Sequence, residues 1–258
     1  MAYQFERESM IRIARLAGEV ALRHYESKFE AEEKSDHSPV TAADRECEQL
    51  ISRMISDQFP ADGITGEEGA SAPSRSGRRW LIDPIDGTRD FVRRLPFWSI
   101  QIALLDHDRV VAGLIYLPCH NDVYHAALGG GCYCNDTRLR ASGVSSLDKA
   151  ILTISGFKDA WKSWKPENIR FLTQNCWTVR AYGGCYDVAM LARGKVDVWL
   201  SGNGMEWDYA PGVIIAEECG AKYLTRDGGA RIDAGHCVIC APGIEGQVRH
   251  VLKIPETR

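Results

Sequence analysis

Apolar positions early in the chain fall three and four residues apart, at Met10, Ile13, Ala14, Ala17, Val20 and Ala21, and predict an amphipathic helix with one face to bury. A second helix is predicted from Cys47, Leu50, Ile51, Met54, Ile55 and Phe59, stopped at Pro60. Thr41 stands three residues before Asp44, which resembles a capping box with Asp in place of Glu or Gln. Between the helices, residues 30–36 are charged and Ser38-Pro39 breaks the pattern, so a loop is expected. Residues 63–79 are rich in Gly, Ser and Pro and are expected to form an exposed, mobile loop.

The period then changes from helical to alternating. Trp80-Leu81-Ile82 reads as a short buried strand ending at Asp83-Pro84. Residues 99–105, 110–117 and 122–127 read as three more strands, with a hairpin turn at 106–109 and Gly129-Gly130-Gly131 closing the meander. Beyond it the pattern predicts strand 151–155, helix 167–175, strand 177–181, helix 186–193 and strand 196–200. A helix over 208–219, stopped by Gly220, precedes strand 238–240 and a last helix. An antiparallel meander followed by alternating elements predicts a layered α/β fold. It is expected to be one domain over residues 1–258, with subdomains meeting near residue 145.

Composition narrows the function. With 258 residues and 45% hydrophobic side chains the chain can bury a sizeable core. A net charge of -4 gives no reason to expect a nucleic-acid partner, so an enzyme acting on phosphate must bring positive charge locally. No apolar run approaches the roughly 18 residues of a membrane span, and the N-terminal residues carry no signal-like segment. A cytoplasmic protein without membrane partners is expected. Nine cysteines, an odd number without ligand spacing, argue against a disulfide framework. Cys237-Val-Ile-Cys240 is compatible with half a zinc site, but its apolar run reads as a buried strand.

Three places put carboxylates where packing has no use for them: Gly66-Glu67-Glu68, Asp83-Pro84-Ile85-Asp86-Gly87-Thr88, and Trp207-Asp208. Asp83 and Asp86 flank a stiffening proline, so one turn can aim both to the same side. Two carboxylates so close repel unless a cation lies between them, and oxygen-only donors select Mg²⁺ or Mn²⁺ over zinc. The Ile85 carbonyl would add a ligand. Gly87 lets the backbone approach a ligand closely, and its N–H and that of Thr88 could receive phosphate oxygens. An ordinary Asp-Gly turn explains this segment equally well when it is taken alone. The other two places shift the balance to a metal.

Together these segments resemble the signatures of the inositol monophosphatase family, in order and in spacing. Lys34-Ser35-Asp36 and Val40-Thr41-Ala42-Ala43-Asp44 resemble that family's N-terminal motif. The resemblance implies an α/β/α/β/α sandwich, a homodimer, a small phosphorylated metabolite as substrate, and two or three Mg²⁺ ions. It implies Glu67, Asp83 and the Ile85 carbonyl on one ion, Asp83, Asp86 and Asp208 on a second, and Glu67 on a weaker third. Water activated by the metal and oriented by Glu67 and Thr88 would attack phosphorus without a phosphoenzyme, with Asp44 hydrogen-bonded to Thr88. Substrate contact is implied for Asp86, Gly87, Thr88 and Asp208, joined by Gly183, Gly184 and Cys185. Lithium sensitivity is also part of what the family implies.

Substrate choice is less legible. Ser201 stands where inositol monophosphatases carry an acid that contacts the sugar alcohol, and Glu206 is the nearest replacement. Gly183-Gly184-Cys185-Tyr186 resembles a stretch of histidinol-phosphate phosphatases but has Gly184 in place of their Asp. Arg89-Asp90-Phe91 resembles the base, acid and Phe of bisphosphate nucleotidases. Inositol 1-phosphate is the first expectation, with those two substrate classes as alternatives. Glu68 is expected to be structural, Asp90 to lie on a helix surface, and the arginines from Arg75 to Arg94 to be solvated loop charge. A metal-binding protein without turnover is the reading from a different class.

Overall fold

A computed structural model describes residues 3–27, 31–33 and 39–256. The first expected helix is α1 (Gln4–Glu26), and its face Met10, Ile13, Ala14, Ala17 and Ala21 is wholly buried, as the 3.6-residue period requires. β1 (Ala31–Glu33) and β2 (Pro39–Thr41) pair antiparallel, so part of the stretch expected to be a loop is a ribbon. The Lys34-Ser35-Asp36 motif lies outside the described residues. α2 (Ala42–Gln58) opens with the expected box: Thr41 Oγ1 accepts from the Ala43 N–H (3.2 Å) and Asp44 Oδ2 from the Thr41 N–H (2.8 Å). Caps of this kind contribute about 1 kcal/mol.

The expected exposed loop at 63–79 is largely structured instead. It contains β3 (Gly63–Gly66), β4 (Ser71–Ala72) and the start of β5 (Arg78–Asp86). Gly63 and Gly66 looked like turn residues but serve close packing. β3 runs parallel to β5 with Gly66 opposite Ile82, and a Cβ on Gly66 would lie 2.3 Å from Glu48 Oε2. β5 also outruns the short strand expected: it continues to Asp86, with a register shift between Asp83 and Asp86 where Pro84 cannot donate to the ladder.

α3 (Thr88–Val92) leads into the meander of β6 (Ser99–Asp106), β7 (Arg109–Leu117) and β8 (Asp122–Ala127). Gly131 opens β9 (Gly131–Cys134) rather than closing the meander, and β10 (Thr137–Arg138) follows. The first sheet has order β10-β9-β8-β7-β6-β5-β3-β4. Strand alternation splits β6 between two cores: Ile100, Ile102 and Leu104 pack with α1 and α2, while Ala103 and Leu105 face the other way.

The second half supplies β11 (Ile151–Ser155), α4 (Phe157–Ser163), α5 (Pro166–Asn175), β12 (Thr178–Arg180) and α6 (Gly184–Ala192). They are followed by β13 (Val198–Ser201), α7 (Glu206–Cys219), β14 (Lys222–Leu224), β15 (Cys237–Cys240) and α8 (Glu245–Leu252). α4 and β14 were not predicted. Gly220 ends α7 in the left-handed region at φ 85°, as a helix stop should. The second sheet has order β12-β11-β13-β15-β14. Helices α6 and α7 fill the space between the sheets, and Ile214, Ile215 and Val188 share one core with Ile115 of the first sheet and Trp199 of the second. Ala160 of α4, Leu172 of α5 and Val248 of α8 cover the outer face of the second sheet. The stack is therefore α/β/α/β/α. Cys237 and Cys240 are fully buried residues of β15, as the apolar run predicts, and all nine cysteines are free thiols. No described helix is long and apolar enough to cross a membrane.

Candidate active site

The site lies where the end of β5 meets the N-termini of α6 and α7. Asp83, Asp86 and Asp208, from two distant segments, can each offer a carboxylate oxygen within 4.8 Å of the others. Asp83 is 1% exposed. Its Oδ1 accepts the Ile85 N–H at 3.1 Å, which fixes the turn around Pro84. Asp86 Oδ2 accepts the Cys185 N–H at the start of α6 (3.2 Å). Asp208 sits in the first turn of α7, where its Oδ2 accepts the Met205 N–H at 2.6 Å. The carboxylate thus also caps the helix against its N-terminal dipole.

Bringing these acids together is electrostatically expensive. Burial raises Asp83 well above the usual carboxylate range, and the charges of Glu67, Asp86 and Asp208 raise it further. Burial, then the Asp86 charge, pushes Asp208 up to about 7. Burial likewise raises Asp86 against the opposing influence of Cys185 and Gln101. Arg79 is engaged by Glu206 at 2.5 Å.

Glu67 is delivered by a separate device. Its backbone N–H donates to Ile82 O (3.1 Å), tying the turn after β3 to β5. Glu48, 3% exposed on α2, accepts the N–H groups of Glu68 and Ala70, both at 2.8 Å, in the space Gly66 leaves open. Sequence reasoning missed Glu48 because its partners lie on another element. The only local signal was a buried-face acid on a helix. Glu68 contributes its backbone to this turn, consistent with the structural part expected of it.

One expected contact is not made. The Thr88 hydroxyl donates to Ile85 O (3.2 Å) rather than pairing with Asp44. Asp44 is fully buried, its Oδ2 taken by the Thr41 N–H (2.8 Å) and hydroxyl (2.6 Å), while Oδ1 has no partner among the described residues. Burial raises Asp44 to about 6 against those two hydrogen bonds. Gly87 adopts φ 86°, where a Cβ would meet Phe97 O at 3.1 Å, so only glycine fits the turn that opens α3.

On the opposite wall Gly183 (φ 133°) and Gly184 precede Cys185. A Cβ on Gly184 would be 3.7 Å from Asp86 Oδ2, and one on Gly183 would be 3.3 Å from Asp90 Oδ2. Asp90 lies partly exposed on α3, with its carboxylate turned towards Gly183. Cys185 is buried, and burial with the Asp86 charge holds its thiol well above the usual range, so it stays protonated. Asp187, a possible replacement for the acid missing at Gly184, is fully buried and accepts from the Ser155 hydroxyl (2.8 Å) and the Gly183 N–H (3.4 Å). Ser201 is buried, sharing a hydrogen bond with the Tyr209 hydroxyl (3.1 Å), and Glu206 is held by Arg79.

Comparison with known proteins agrees with this architecture. Histidinol-phosphatase of Chlorobaculum parvum is 32% identical over 240 residues, covering 92% of each chain. Inositol-1-monophosphatase of Bacillus subtilis is 34% identical over 199 residues, 73% of each. Nus factor SuhB of Escherichia coli is 32% identical over 226 residues, 85% of this chain and 84% of that one. Among solved structures, a Thermotoga maritima IMPase superposes with a TM-score of 0.85 over 94% of both chains at 28% identity. The sequence pattern of the inositol monophosphatase family matches residues 5–254, so the chain belongs to that family and is a phosphoric monoester hydrolase.

Proposed function

We propose that this chain hydrolyses a small phosphate monoester with Mg²⁺, two or three ions per site, held by Glu67, Asp83, Asp86, Asp208 and the Ile85 carbonyl, with Mn²⁺ as an alternative ion. One observation carries the reading: three carboxylates offer oxygens within 4.8 Å of one another, and burial first, then their mutual repulsion, lifts the proton affinities of Asp83 and Asp208. An all-oxygen donor set with excess negative charge fits a hard divalent cation. A solved relative at 20% identity, described as an IMPase/NADP phosphatase complexed with Mg²⁺ and phosphate, shares the fold with a TM-score of 0.85.

When bound, the metal would supply the positive charge that acidifies water and offsets charge on the phosphate and the leaving oxygen. The chain's own groups do the rest. Glu67 takes the proton of the attacking water, and the Thr88 hydroxyl orients that water. Asp44 acts at one remove, holding Thr41 and the start of α2 through its Oδ2. The N–H groups of Gly87 and Thr88 hold phosphate oxygens, and Gly183, Gly184 and Cys185 bound the space for the alcohol. The family resemblance implies attack by water without a phosphoenzyme, and burial with the Asp86 charge pushes up the thiol of Cys185, which leaves it a poor nucleophile.

Inositol 1-phosphate and histidinol phosphate are the leading substrates, with a nucleoside 3′,5′-bisphosphate third. We read the protein as a cytoplasmic homodimer. Exposed Trp177, next to the edge strand β12, and exposed Phe171 on the preceding helix α5 support a partner surface on this part of the chain. The test of the reaction is phosphate release, with and without Mg²⁺, from inositol 1-phosphate, histidinol phosphate, fructose 1,6-bisphosphate and adenosine 3′,5′-bisphosphate. A Mg²⁺-dependent preference of about a hundredfold, roughly 2.7 kcal/mol, names the substrate. No release from any ester by metal-loaded protein rejects the enzyme reading.

A further inference from the structure

The alcohol half of the substrate needs a recognition group, and the structure eliminates most candidates. Ser201 is buried and bonded to Tyr209. Glu206 is paired with Arg79, and Asp187 is buried with its Oδ2 committed to Ser155 and Gly183. Asp90 differs from all three. Its carboxylate makes no side-chain hydrogen bond or ion pair among the described residues, and it is half-buried on α3, four residues past Asp86. Its Oδ2 faces the gap left by the missing side chain of Gly183, while Asp86 Oδ2 faces the gap at Gly184 next door. Gly183 and Gly184 are consecutive, so the two carboxylates lie against one short stretch of backbone. Aromatic residues adjoin it: Phe97 Cβ would lie 3.8 Å from a Cβ on Gly183, the Phe97 ring sits edge-on to Tyr186 at 5.2 Å, and Tyr182 lies 5.6 Å from Tyr186. All three rings are partly exposed.

We infer that Asp90 is a specificity-determining residue that receives the ammonium group of an amino-alcohol phosphate, with the partly exposed rings of Phe97 and Tyr186 beside it. This rests on the phosphatase reading above and narrows its substrate class. A partly desolvated carboxylate without a cation gains most from a charged donor, because a neutral hydroxyl leaves its charge uncompensated. Among the described residues no neighbouring cation offsets its burial, and that burial raises its proton affinity. Aromatic faces add attraction for a cation and none for a polyol.

The test compares Mg²⁺-dependent kcat/KM for histidinol phosphate with that for the same ester lacking its amino group. The wild type prefers the amino ester by about tenfold or more, the loss expected when a charge-assisted hydrogen bond is missing. Asp90→Asn erases the preference chiefly through KM, since the contact forms in the ground state as well as the transition state. Asp90→Glu, which keeps the charge, retains part of it. A wild-type enzyme without preference overturns the inference. So does an Asp90→Asn enzyme with the wild-type ratio, or Asp90→Asn and Asp90→Glu lowering the ratio equally. Hydrolysis of p-nitrophenyl phosphate separates the two failures: if it too shows no Mg²⁺-dependent turnover, the phosphatase reading itself has failed.

Discussion

Mg²⁺ should stabilise this protein far more at neutral than at acidic pH. Burial and the Asp86 charge raise Asp208 from 3.8 to about 7 in the metal-free fold, and Asp83 rises for similar reasons. A raised acid binds its proton more tightly when folded than unfolded. Metal-free stability from this group is therefore greatest below its unfolded pKa, falls as pH climbs towards about 7, and is flat beyond. Between about pH 5 and pH 7, one proton changes the balance by about 1.4 kcal/mol per unit, so Asp208 alone costs about 3 kcal/mol over that interval. A bound cation takes the place of the proton and removes the penalty. For a chain of this size that corresponds to an extra gain in Tm of roughly 6–12 °C at pH 7 over pH 5. Thermal unfolding with and without saturating Mg²⁺ at the two pH values measures it. Equal gains would refute the reasoning, because the acids would then not be electrostatically coupled to the ion.

Two substitutions probe how the site is held. Glu48→Gln keeps the shape but replaces one acceptor oxygen with an amide N–H₂ facing a backbone donor at 2.8 Å. It should cost about 2 kcal/mol in urea denaturation and raise the Mg²⁺ concentration for half-maximal activity several-fold, by loosening Glu67. An unchanged Mg²⁺ activation curve would mean that the turn does not position Glu67. Gly113→Ala puts a Cβ 2.7 Å from Ile214 Cγ2 and 2.9 Å from Pro211 Cα, against the helix that carries Asp208. It should lower stability by about 1–3 kcal/mol and weaken Mg²⁺ binding measured calorimetrically, whereas unaltered binding would show that α7 absorbs the strain locally.

What could be read from sequence was whatever the chain encodes over a few residues. Met10 through Ala21 gave α1 by period, Thr41 and Asp44 gave the cap of α2, and one turn, Asp83 to Thr88, carried two of the three clustered acids. What escaped depended on distant partners. Gly63 and Gly66 have the composition of a loop, but one is needed for close packing against Glu48, and nothing local to either reveals that. Asp90 is the partly exposed helix residue expected, but that its carboxylate lies beside Gly183, far along the chain, is not legible locally. The Asp44–Thr88 contact failed for the converse reason: Thr41 occupies one oxygen of Asp44, and the Thr88 hydroxyl has a nearer acceptor in Ile85.

The central claim is that these carboxylates hold the ion that makes hydrolysis possible, and Asp83→Asn tests it most directly. Asp83 is the most buried of the clustered acids and borders Glu67, Asp86 and Asp208 at once. Phosphate release by the variant at saturating Mg²⁺ should fall by about a thousandfold or more, since losing roughly 4 kcal/mol of transition-state stabilisation has that effect. Turnover within a few-fold of wild type would contradict the site.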